Sequence, residues 1–147
     1  MELHLPYKLL IATILCSLIV RYLTFGLEIP NKLALFTTLT LIIIGILIGL
    51  WVKRVIRNHK TTLNPYGKPT AIITSGPFQF SRNPMYLSYL LVALGFAIYS
   101  ENWIGFIGPV LYFLYLNFSI IPGEETRLKN GFSSSYEVYA GRVRRWL

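Results

Sequence analysis

Glu124 and Glu125 stand side by side near the end of a chain with 14 Lys and Arg, six Glu and no Asp. Two adjacent carboxylates in an otherwise basic stretch can accept charge-assisted hydrogen bonds from an ammonium group or from hydroxyls. Arg82 and Arg142 offer the complementary chemistry, because a guanidinium fork pairs with a carboxylate. The acidic pair also suits the first turn of a helix with no ligand at all, since the helix dipole favours negative charge there. Cys16 is alone, His4 and His59 lie far apart, and no His-Glu-x-x-His is present, so no metal site is expected. The chain has no G-x-x-x-x-G-K-[ST], no G-x-G-x-x-G after a strand and no G-x-S-x-G. Nucleotide-domain and nucleophile-elbow chemistry are therefore set aside.

The elements that must position these residues are hydrophobic. Of 147 residues, 54% are hydrophobic and 14% charged, against roughly a quarter charged in soluble domains. That composition excludes a disordered chain, a collagen-like repeat and an ordinary cytosolic enzyme. Apolar runs at 7–25, 33–52, 85–99 and 103–121 approach the roughly 20 residues a bilayer helix needs. The expected fold is all-α: a multi-pass membrane protein of about four transmembrane helices, one domain over 1–147, followed by a C-terminal amphipathic helix. The first run lacks a small-residue cleavage site and reads as a retained span. Arg21 is expected to snorkel to the interface, and the third run, short for a full crossing, to be extended or tilted. Pro109 in the fourth is tolerated where neighbouring helices re-satisfy the freed backbone.

Charge sets the expected topology. Six basic residues lie between Lys53 and Arg82 and five more follow the fourth span, eleven of the fourteen in all. The positive-inside rule makes that side cytoplasmic, and four spans place both termini there. Because the cations sit between and after apolar runs, the partner they imply is a lipid bilayer and no nucleic acid. Pro122-Gly123 is expected to break the fourth helix. Leu128, Phe132, Tyr136 and Val143 then form a stripe at helical spacing, as in a helix lying on the membrane. Tyr136 and Tyr139 equally suit an interfacial aromatic belt, and Arg82 a lipid headgroup. The long basic loop carries Tyr66, Ile72, Ile73, Phe78 and Phe80, which predict that it folds back onto helix ends and walls a pocket.

Two motifs then carry a resemblance. T-S-G-P-F-x-x-S-R-N-P-M-Y-L-S spans residues 74–88, and E-E-x-x-L-x-x-x-F-x-x-x-Y-x-x-Y-x-x-x-V-x-R-W-L spans residues 124–147. Together they resemble the isoprenylcysteine carboxyl methyltransferase and phospholipid N-methyltransferase superfamily, integral-membrane enzymes that use S-adenosylmethionine. The resemblance covers about the last ninety residues. It implies a cofactor site with one wall of Thr70, Ala71, Ile72, Ile73, Phe78, Asn83, Pro84, Met85 and Tyr86, and a second of Glu124 and Glu125. Glu124 and Glu125 would accept from the cofactor's ammonium or ribose hydroxyls, Arg82 or Arg142 would pair with its carboxylate, and the apolar surface would hold adenine. If the acceptor is an amine, Glu125 or Tyr136 is the nearest group to take its proton. Arg82, Glu125, Tyr136 and Arg142 are thus the expected catalytic residues.

Three positions depart from the superfamily pattern. Asn83 stands where the isoprenylcysteine branch has His, and an amide does not titrate near neutrality, so a histidine base is excluded there. Ile120 replaces a substrate-contacting Arg of the eukaryotic isoprenylcysteine enzymes, so prenylated-cysteine specificity does not carry over. Ser133 replaces the usual Gly after the tail Phe. The implied acceptor is lipophilic or amphiphilic, entering laterally while the charged cofactor enters from the cytoplasm. Two other classes share the hydropathy: a non-catalytic small membrane protein, such as a transporter subunit or assembly factor, and a four-helix glutathione-handling membrane enzyme.

Overall fold

The structure is a computed structural model and describes residues 5–25, 30–58 and 72–147. Among the described residues every regular element is helical: α1 (Leu5–Phe25), α2 (Lys32–Asn58), α3 (Pro84–Tyr99), α4 (Ile107–Tyr115) and α5 (Ile121–Arg142). Short 3-10 turns at Gly76–Gln79 and Trp103–Phe106 precede α3 and α4, and a π turn at Leu116–Ile120 joins α4 to α5. Helix α1, helix α2 and the run Trp103–Arg142 are long and apolar enough to cross a bilayer; Pro84–Tyr99 is a shorter apolar helix. The protein is a multi-pass membrane protein.

The side chains are distributed as bilayer solvation requires. Helix α1 buries Leu10, Thr13, Ser17 and Arg21 and exposes Leu15, Ile19, Tyr22 and Leu23. Helix α2 buries Ala34, Thr38 and Gly45 and exposes Phe36, Leu39, Ile43 and Leu47. In lipid, large apolar side chains gain little by leaving the solvent, so helices associate through close packing of small residues and hydrogen bonds. Gly45 shows the packing: a Cβ there would stand 2.8 Å from the Ser88 carbonyl oxygen and 2.9 Å from Val92 Cγ2. The hydrogen bonds are buried ones, Thr38 Oγ1 donating to Gly95 O at 2.9 Å and Ser17 Oγ to Gly105 O at 3.2 Å.

Helix α3 is the hub. None of its 16 residues is exposed, and it packs on α1, α2 and α4. It spans roughly 24 Å at 1.5 Å per residue, less than the hydrocarbon thickness of about 30 Å. Enclosure by protein removes the need to match that thickness with apolar surface.

Two expectations are corrected. Arg21 does not snorkel. It is buried, donates from Nη1 to Glu101 Oε2 at 2.5 Å, and lies 4.7 Å from the Phe25 ring and 5.7 Å from that of Tyr99. Glu101 also accepts from the backbone N–H of Asn31 at 3.2 Å and from its side-chain amide. The Glu101 carboxylate, itself fixed by Asn31, thus gives the guanidinium a partner at the α3–α4 turn. Nor does Pro122-Gly123 break the last helix. The Ile121 N–H reaches back five residues to Leu116 O, so the ladder is already offset before the proline, which sits in the first turn of α5. The distortion falls instead at Ser133, with φ 39° and ψ −115°.

Candidate active site

The first wall is the segment from Ile72 into α3, held by its docking on α2. Gly76 has φ 62°, and a Cβ there would stand 2.9 Å from Val55 Cγ2. Only glycine combines that backbone with so close an approach. The turn carries Ile73 into a buried cluster with Val52 and Ile56, against which Phe78 and Met85 also pack. Beyond it the Asn83 N–H donates to Ser81 Oγ at 3.1 Å, and Pro84 opens α3 in the first turn, where its missing N–H costs nothing. The same constraints aim Arg82 at α5.

The second wall is the junction of α4 and α5, one turn beyond the apolar run that ends at Ile121. Glu124 falls in the first turn of α5, as a helix-start charge would, with Glu125 next to it, on a helix that continues from α4 through the π turn. The two carboxylates diverge. Glu125 meets Arg82 Nη1 at 3.1 Å and both Nε and Nη2 of Arg145, at 3.1 and 2.6 Å. Arg82 Nη1 also donates to the Tyr136 hydroxyl at 3.2 Å. Glu124 turns towards α3 and accepts from the Tyr86 hydroxyl at 2.5 Å.

Burial pushes the Glu124 carboxyl up to about 7, with the Tyr86 hydrogen bond and the Arg127 charge pulling it back and Glu125 adding to the rise. Burial likewise raises Tyr136, helped by Glu125 and opposed by Arg82, and pushes Tyr139 up to about 12. Both phenols are neutral in the physiological range. The Nε of Arg82 is buried and has no hydrogen-bond partner among the described residues. It is a donor facing an unfilled need, since a buried N–H without an acceptor is costly.

Of the residues expected from the sequence, Arg82, Glu125 and Tyr136 form one linked group, and Tyr86 and Glu124 form a second beside it. Asn83 and Pro84 are buried at the start of α3, the Asn83 amide donating to Arg145 O at 2.9 Å. Ile73, Phe78 and Met85 give their side chains to the cluster against α2, and Ile72 is half-buried next to them. Arg142 is not brought in; it is exposed in the last turn of α5. Thr70 and Ala71 lie outside the described residues. Tyr139 is more than a belt aromatic: it is buried and donates to Phe78 O at 2.8 Å.

Arg145, Trp146 and Asn117 join the site without having been expected there. Arg145 Nη1 and Trp146 Nε1 both donate to Asn117 Oδ1, at 3.3 and 3.1 Å, and the Trp146 ring lies 5.1 Å from that of Phe113. Arg145 and Trp146 do stand in the R-W-L that closes the second motif, which was the available signal. Asn117, a lone polar residue in an apolar run, was another.

A family model described as phospholipid methyltransferase matches residues 33–135. The chain is also similar to a protein of Haemophilus influenzae described as uncharacterized, 38% identical over 63 residues that make up 43% of this chain and 100% of that protein. No solved structure matches. The match extends over both walls of the site, from α2 through the first turns of α5, and the chain belongs to the phospholipid methyltransferase family.

Proposed function

We propose that this protein transfers a methyl group from S-adenosylmethionine to a lipophilic or small amphiphilic acceptor, a carboxylate, amine or thiol, at the membrane interface. One observation carries the reading. Two motifs about forty residues apart meet at the end of a bundle of bilayer helices, as a part-buried set of two carboxylates and two guanidiniums. A lipid-anchored or non-catalytic role would need the helices but not this set.

The residues present fit the cofactor's charged groups. The Glu124 carboxylate suits its ammonium or ribose hydroxyls, and the unpartnered Arg82 Nε–H suits its carboxylate. The family match and the fold support assigning Ile72, the backbone around Ile73, Phe78 and Met85 to the wall beside it, with Thr70 and Ala71 joining by sequence alone. When bound, S-adenosylmethionine supplies a sulfonium methyl that an acceptor lone pair displaces in line. Tyr136 and Glu125 orient Arg82 through its Nη1, and Arg145 holds Glu125 in turn; where the acceptor is an amine, Glu125 or Tyr136 is the nearest group to take its proton. A carboxylate or thiolate acceptor needs no base, and the residues contribute by alignment and exclusion of water. By the positive-inside rule, the basic loop and tail support a cytoplasmic position for this end and for both termini.

The test is a methyl-acceptor screen with labelled S-adenosylmethionine over lipids and thiols, run beside binding of S-adenosylhomocysteine and glutathione. Label transfer, or binding of S-adenosylhomocysteine but not glutathione, is expected. Binding of glutathione alone would replace this reading.

A further inference from the structure

Helix α5 ends at Arg142, and Val143 is extended, with φ −118° and ψ 129°. From there the chain runs back across the start of α3. Three groups of the first motif hold the strap by its carbonyls: the Arg82 N–H on Arg144 O at 3.0 Å, and Ser81 Oγ and Asn83 Nδ2 on Arg145 O at 3.3 and 2.9 Å. The side chains then continue into the second wall, Arg145 onto Glu125 and Asn117, Trp146 onto Asn117 and Phe113.

We propose that residues 143–147 are a third wall of the site and that Arg145 is a positioning residue, locking Glu125 so that Arg82 presents its Nε to the ligand. The inference rests on the methyltransferase reading for the identity of that ligand. The two glutamates thereby divide the work. Both oxygens of Glu125 are engaged, one shared by Arg82 and Arg145 and the other held by Arg145. That leaves Glu125 little capacity for a ligand and fixes its side chain. Arg82 is drawn to it through Nη1, with the Tyr136 hydroxyl on the same nitrogen. Only a planar fork can grip both carboxylate oxygens at once; a lysine offers a point charge.

The experiment has two arms, on full-length protein in nanodiscs. In the first, Trp51→Phe and Trp103→Phe leave Trp146 as the single tryptophan, its emission is excited selectively over that of the tyrosines, and iodide quenching is measured without ligand. Glu125→Gln and Arg145→Gln are each expected to free the strap and raise quenching of Trp146 at least about twofold. Unchanged quenching in both overturns the proposal. In the second arm, calorimetry follows S-adenosylhomocysteine. Arg145→Gln and Glu125→Gln should each weaken it about tenfold or more, the scale of a lost charge-assisted hydrogen bond. The double variant should be no weaker than either single one, and Arg145→Lys should recover only part of the loss. All should keep the parent's thermal midpoint within a few degrees, which separates positioning from folding. Parent-like affinity in Arg145→Gln, or full additivity, overturns the positioning role and leaves the methyltransferase reading standing. If the unmodified protein itself binds no S-adenosylhomocysteine, that reading fails instead, and the quenching arm decides the strap.

Discussion

The Tyr86 hydroxyl donates to Glu124 Oε1 at 2.5 Å, joining the first turn of α3 to the start of α5. Helix α3 has no exposed residue and packs on α1, α2 and α4, so this bond ties the carboxylate to the hub of the bundle. Glu125, the next residue, faces the opposite neighbour and is locked by Arg145. One carboxylate is thus held by a neutral hydroxyl and remains able to change charge; the other is fully paired.

Glu124 makes binding depend on pH. With its carboxyl near 7, the anion that would receive an ammonium or hydroxyl donor is a minor form at pH 6 and the dominant form at pH 8. Affinity for S-adenosylhomocysteine should rise about tenfold between those values, and Glu124→Gln should flatten the profile. Stability runs the other way. A carboxyl raised by burial favours the folded state while protonated, so its contribution is complete below the ordinary value of 4.5 and is lost as pH rises through about 7. The thermal midpoint should fall across that window in the parent and not in Glu124→Gln.

Ser133 occupies φ 39° and ψ −115°, a corner that glycine enters freely and an L side chain does not. Ser133→Gly should therefore stabilise the protein by about 1 kcal/mol, a rise of a few degrees in thermal unfolding. A fall in the midpoint would show that the Ser133 side chain makes a contact outweighing its backbone cost.

Much of this was legible in the sequence because hydropathy and short motifs record local requirements. The apolar runs marked the helices, Arg82, Glu124 and Glu125 stood out by residue type, and Tyr86 entered through the resemblance of the first motif. What stayed hidden depends on where helices face one another. Nothing local distinguishes Arg21 snorkelling outward from Arg21 turned in towards Glu101, eighty residues away. Arg142 and Arg145 are equivalent by composition; only the extended backbone at Val143 brings the second to Glu125 and leaves the first in solvent. The π turn that carries the helix past Pro122 likewise has no simple signature, being an offset of one residue in an unbroken apolar run.

Topology can be read by single-cysteine labelling on a Cys16→Ser background. Arg54→Cys and Asn130→Cys, both at exposed positions near the site, should react only with a reagent on the cytoplasmic side. Trp103→Cys, exposed at the far end of α3, should react only from the opposite side. Labelling of Arg54→Cys and Trp103→Cys from one face would contradict the alternating bundle.

If Arg82, Tyr86, Glu124 and Glu125 together bind S-adenosylmethionine as proposed, the site must take up its demethylated product as well. The direct measurement is calorimetric titration of S-adenosylhomocysteine into the full-length protein in nanodiscs at pH 8, beside Glu124→Gln. Saturable binding in the parent, weakened about tenfold or more by the substitution, is the predicted result. Equal affinity in the two proteins would remove Glu124 from the site, and no binding in the parent would show that these residues form no site for S-adenosylmethionine.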